Sequence, residues 1–101
     1  MTKNTRTAQR FDVDLEVEYK TGESWAKARA RNASLGGLFL DDTKLSSGSK
    51  ILMRLRLPTF KDPIEVGGLV RWQQGAGVGV QFDGLRARDV WALGKYFESL
   101  S

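Results

Sequence analysis

Neither cysteine nor histidine occurs in the 101 residues. Their absence excludes disulfides, thiolate and imidazole metal sites, cysteine nucleophiles and any catalytic triad built on an imidazole. Only two prolines interrupt the chain, and no apolar run approaches the ~20 residues that a membrane helix requires. The first ten residues carry Lys3, Arg6 and Arg10 but no apolar stretch, so no secretory signal is expected. The expectation is a cytoplasmic protein with no enzymatic activity, no cofactor and no metal. Charge, by contrast, is plentiful: 16 Lys and Arg against 12 Asp and Glu give +4. That mild excess favours anionic partners. Carboxylates, hydroxyls, amides and arginines make a toolkit that binds anions better than it moves protons.

Residues 1–10 show no apolar period and are expected to form a flexible basic arm. Residues 11–101 then make one small folded domain. From Phe11 to Tyr19, apolar and acidic residues alternate at every position (Phe-Asp-Val-Asp-Leu-Glu-Val-Glu-Tyr), the pattern of a strand with one buried and one wet face. Gly22-Glu23 marks a turn. Trp25 to Arg31 alternates again, setting Ala26, Ala28 and Ala30 against Lys27, Arg29 and Arg31. Paired as a hairpin, the two strands would oppose carboxylates and cations in a surface ladder.

Asn32 to Gly37 breaks the alternation with turn formers, and Leu38-Phe39-Leu40 resumes it until Asp41-Asp42, read as a turn. Further strands are expected at Ile51–Leu57, Ile64–Trp72 and Val78–Phe82, with a bulge or close backbone approach at Gly67-Gly68. Beyond Asp83-Gly84 the spacing turns helical. Val90, Leu93, Phe97 and Leu100 recur on one face of a helix starting near Leu85, with Asp83 as its candidate cap. Short strands followed by one helix indicate a mainly all-β fold. The expected architecture is a small antiparallel six-stranded barrel, closed or nearly so, with a C-terminal α-helix over one end.

Three separated segments carry the functional signal. Arg6-Thr7-Ala8-Gln9-Arg10 is an R-x-x-x-R directly before the first strand. Asn32-Ala33-Ser34-Leu35-Gly36-Gly37 is a [D/N]-x-S-x-x-G at a strand-to-strand turn, and Gly77-Val78-Gly79-Val80-Gln81-Phe82 is close to G-[VI]-G-V-x-F. In this order and on this strand pattern, they resemble the PilZ domain, the bacterial cyclic di-GMP receptor family. The resemblance runs from about residue 5 into the helix.

It implies that Arg6 and Arg10 grip the cyclic dinucleotide through phosphate and guanine, a task suited to planar guanidinium groups. Asn32 and Ser34 would converge on the same ligand, since residues two apart in an extended segment share a face. Asparagine keeps a donor and an acceptor there but lacks the charge of aspartate. Gly37 would allow a positive φ or a close approach. Trp72 could stack on a base or pack at the barrel rim, and Arg31 could add positive potential or belong to the ladder.

The implied function is a cyclic di-GMP receptor whose arm becomes ordered on binding. It would signal through an unidentified effector protein of motility, secretion or polysaccharide synthesis. Nucleic acid polymers are not expected as partners. A barrel that binds single-stranded nucleic acid is the main rival, yet Phe11, Tyr19, Phe39 and Phe82 fall in apolar phase and leave no stacking platform. A PilZ-like interaction scaffold without ligand is the other, and the intact Arg6, Arg10, Asn32 and Ser34 set weighs against it.

Overall fold

The computed structural model describes residues 9–100. Six strands are present: β1 (Phe11–Lys20), β2 (Trp25–Ala33), β3 (Gly37–Asp41), β4 (Lys50–Arg56), β5 (Ile64–Gln74) and β6 (Gly77–Asp83), followed by helix α1 (Ala87–Ser99). They form a closed barrel in the order β1-β2-β3-β6-β5-β4, with β4 pairing back onto β1. Every neighbouring pair is antiparallel. Closure leaves no strand edge open to pair with another chain. No helix among the described residues is long and apolar enough to cross a membrane.

The alternating residues do what their period dictates. Leu15 and Val17 of β1, and Ile51, Met53 and Leu55 of β4, point into the barrel and are buried, while the intervening residues stay at the surface. Each such side chain contributes about 1.5–3 kcal/mol by leaving water.

Bulges interrupt this regularity at three places. The registers shift between Asp12 and Leu15, between Ala30 and Asn32, and between Val70 and Trp72. In β2 the shift lets Ala30 and Ala33, three residues apart, both face inward, while Ala26 near the hairpin end is exposed. The Gly67-Gly68 pair itself lies in regular ladder, opposite Asp83 and Phe82. What crowds this point is side chains rather than backbone, because a Cβ on Gly68 would come within 2.5 Å of Val80 Cγ1 and 2.8 Å of the Met53 methyl. The bulge expected there occurs instead at Arg71.

The helix also departs from its predicted phase. Leu93 and Phe97 are buried, but Val90 and Leu100 are exposed, and the inner face comprises Asp89, Ala92, Leu93, Tyr96 and Phe97. Phe97 stacks on Phe11 at the start of β1, with ring centroids 4.5 Å apart and planes at 12°. That stack and the buried Asp89 select the face. Asp83 ends β6 and does not cap the helix; Gly84, at φ 91°, turns the chain away from it. The cap is the Asp89 carboxylate, which accepts the backbone N–H of Arg86 at 3.2 Å and the Arg86 Nε at 3.0 Å. Trp91, outside this face, is 59% exposed and touches Phe60 edge-on.

Candidate functional site

A groove of about 540 Å³ crosses β3, β6 and β5, lined by Arg10, Ser34, Gly36, Gly37, Arg71, Trp72, Val80 and Gln81. The β5 bulge positions its aromatic wall. Val70 opposes Val80 and Trp72 opposes Gly79, so Arg71 has no counterpart on β6. Strict alternation after the buried Val70 would turn Trp72 inward. The extra residue instead leaves Arg71 and Trp72 both at the surface. The indole lies flat on β6, where a Cβ on Gly79 would overlap the ring. It remains 41% exposed.

The second wall is the turn between β2 and β3. Ser34 is buried and braces this turn: its N–H donates to the Gly37 carbonyl at 2.8 Å, and its Oγ accepts the Gly36 N–H at 3.0 Å. The hydroxyl proton is left to donate. Phe82 N–H donates to the Gly36 carbonyl at 2.9 Å, tying the turn to β6. Gly37 has no positive φ. Its role is close backbone approach, because a Cβ there would overlap the Val80 carbonyl across the β3–β6 ladder.

The residues singled out by the motifs do not all reach the groove in the same way. Arg10 lines it, and its Nε donates to Asn32 Oδ1 at 3.0 Å. Asn32 is half-buried at the end of β2 and holds Arg10 rather than lining the cavity. It and Ser34 therefore bond to different partners. Arg31 is engaged on the neighbouring surface, 3.2 Å from both Asp14 and Asp41. Arg29 reaches the same Asp14 at 2.6 Å although Glu16 stands opposite it in the register. The Arg29 hydrogen bond and the charges of Arg29 and Arg31 hold the Asp14 carboxyl below its ordinary value. Arg6 lies outside the described residues.

Gly36, Val80 and Gln81 lie within the motif segments but were given no binding role there, and Arg71 lies outside all three segments; all four line the groove. Gln81 did carry a signal, as the polar position between buried Val80 and Phe82. Arg71 carried only the outward phase of an ordinary strand residue, and the bulge that brings Trp72 to the surface beside it is invisible in the strand pattern.

Chemically, the lining offers two guanidinium groups, a hydroxyl donor, a carboxamide and an aromatic face. Among the described residues, the lining holds neither a carboxylate nor a nucleophile set. Among the described residues, no group of three or more acidic side chains could hold a metal ion. Such a surface suits a ligand that is both anionic and planar.

No curated protein matches the chain at a significant level. Among solved structures, the inhibitor of motility MotI/DgrA of Bacillus subtilis superposes with a TM-score of 0.76 at 24% identity, over 93% of this chain and 49% of that one. The PilZ domain of CeSA from a cellulose synthesizing bacterium gives 0.69 at 13% identity, over 92% and 98%. PlzA of Borreliella burgdorferi, solved in complex with c-di-GMP, gives 0.67 at 17% identity, over 88% and 39%. The chain thus spans 49% of MotI and 39% of PlzA but nearly the whole CeSA domain. At these identities the likeness is one of fold. The PilZ domain family model matches residues 4–99, and with that match over nearly its whole length the chain belongs to the PilZ domain family.

Proposed function

We propose that this PilZ domain is a cytoplasmic cyclic di-GMP receptor that acts without catalysis. The ligand occupies the groove across β3, β6 and β5. Arg6 and Arg10 grip its phosphates and guanine edges, Asn32 orients Arg10, and Ser34 donates its hydroxyl proton. Gly37 keeps β3 close enough to β6 for the floor to form. Trp72 stacks on a base, and Arg31 takes part only as a neighbour that stiffens β2. In this reading residues 1–10 are an arm that the ligand draws onto the barrel of residues 11–101. The surface so formed is read by an effector, either a separate protein or another domain.

One observation carries the reading: Arg10, Ser34 and Trp72, widely separated in sequence, meet around one groove with cationic and aromatic walls. The complex of PlzA with c-di-GMP, on a similar fold, is in keeping with it. Against a general single-stranded nucleic acid site, Trp72 is the one aromatic residue among the described residues that line the groove, whereas such sites need successive stacking positions.

Calorimetric titration of the purified chain with cyclic di-GMP, GTP and a short single-stranded oligonucleotide tests the proposal. Selective heat with the cyclic dinucleotide is expected. Equal heats for all three, or none for the cyclic one, would overturn it.

A further inference from the structure

The arginines of this molecule divide by the company they keep. Arg29 and Arg31 pair with Asp14, Arg31 also with Asp41, Arg54 with Glu65, and Arg56 with Glu18, at 2.6–3.2 Å. Arg86 and Arg88 share the buried Asp89, at 3.0 and 3.7 Å. Two described arginines stand apart. Arg10 is held by the neutral amide of Asn32, and Arg71 makes no side-chain hydrogen bond or ion pair among the described residues. Its backbone carbonyl alone is anchored from outside the sheet, by the Ser47 hydroxyl at 3.1 Å. Among the described residues, Arg10 and Arg71 are also the two arginines that line the groove.

Among the described arginines, the guanidinium charge that meets no carboxylate is therefore concentrated in one concave surface, where low-dielectric walls focus its field on an anion. Six paired guanidinium groups elsewhere (Arg29, Arg31, Arg54, Arg56, Arg86 and Arg88) contribute much less, each beside a carboxylate. Arg71, next to the buried Val70, faces outward by the strand's own alternation, and the bulge sets Trp72 beside it at the surface. A cation next to an exposed indole matches the two halves of a nucleotide, phosphate and base.

We infer that Arg71 is a further ligand-binding residue of this groove, outside the sequence motifs, and that it binds a phosphate as a charge. The inference rests on the cyclic di-GMP reading above. The charge assignment follows from the side chain's freedom. Reading a base edge requires a guanidinium fork held in orientation, as Arg10 is held by Asn32, whereas no described residue orients Arg71. A lysine can meet a phosphate as a point charge.

Cyclic di-GMP titrations of the parent chain, Arg71→Gln, Arg71→Lys and the control Arg54→Gln, whose guanidinium pairs with Glu65 outside the groove lining, each at low and high salt, test this. Arg71→Gln should weaken binding about 10-fold or more, the value of a lost charge-assisted hydrogen bond. Its affinity should also depend less on salt than the parent's. Arg71→Lys should stay within about 3-fold of the parent, and Arg54→Gln should bind like the parent. If the parent binds and Arg71→Gln binds equally well, the inference falls while the receptor reading stands. A lysine variant as weak as the glutamine variant overturns the assignment to charge. No binding by the parent removes the receptor reading, and the inference with it.

Discussion

Arg10 and Asn32 divide one task between two side chains. The carboxamide oxygen takes the Nε hydrogen of Arg10 at 3.0 Å, which leaves the terminal guanidinium nitrogens for a ligand. Because Asn32 is neutral, it orients the guanidinium without cancelling its charge. A lysine at position 10 keeps the charge and loses both the tether and the paired hydrogen bonds. Losing one bidentate contact costs roughly 1–3 kcal/mol. Arg10→Lys and Arg6→Lys are therefore each expected to raise the Kd for cyclic di-GMP about 5- to 150-fold. Lys27→Ala, on the exposed surface of β2, should change it little. Titration of the three variants checks this by their order. Lysine variants that bind like the parent, beside a weakened Lys27→Ala, would move the site to the β2 face.

Helix α1 shows how one buried carboxylate can decide an element. Asp89 sits at the third helical position, accepts the Arg86 backbone N–H, and lies between the guanidinium groups of Arg86 and Arg88. Burial pushes its carboxyl upward, but the Arg86 hydrogen bonds and the charges of Arg86 and Arg88 outweigh it, so it lies below its ordinary value. The folded state then binds this proton less readily than the unfolded chain does. Stability from Asp89 is accordingly complete above the unfolded value, 3.8, and is lost as pH falls through the lower folded value. Asp89→Ala should cost about 1–3 kcal/mol near neutral pH, as expected for hydrogen bonds to a charged group. Denaturant unfolding at a series of pH values should show the gap to the parent constant at neutral pH and narrowing below about pH 4. A gap that widened in acid would mean that Asp89 is protonated in the folded protein.

At the scale of the whole molecule, barrel closure brings the start of β1, the β2–β3 turn and the end of β5 around one surface. The segment that carries Arg6 enters the barrel at Phe11, which Phe97 of α1 holds by stacking. In the proposed reading, ligand bound in the groove engages Arg6 together with Arg10. Amide exchange across residues 1–10 is expected to slow when cyclic di-GMP is added, while β4, on the far side of β5 from β6, changes little. Exchange in residues 1–10 that stays the same at saturating ligand would rule out ordering of the arm.

Much of this was legible in the sequence because it is local. The apolar–acidic alternation of Phe11–Tyr19 needs only a pleated strand to have its meaning, and the strands expected at Ile51–Leu57 and Val78–Phe82 follow from local pattern in the same way. The R-x-x-x-R and N-x-S-x-x-G spacings likewise sit in continuous stretches of chain. What only the tertiary structure decided depends on two segments at once. The bulge that turns Arg71 and Trp72 to the same surface is a mismatch in count between β5 and β6, so neither strand alone contains it. Gly37 lacks a side chain because of the Val80 carbonyl on another strand. The helix carries apolar residues on more than one face, and the stack of Phe97 on Phe11 with the capping role of Asp89 chose which to bury. The same holds for charge: composition counts the arginines, but barrel register decides which of them meet carboxylates, and it leaves Arg10 and Arg71 to face the groove uncompensated.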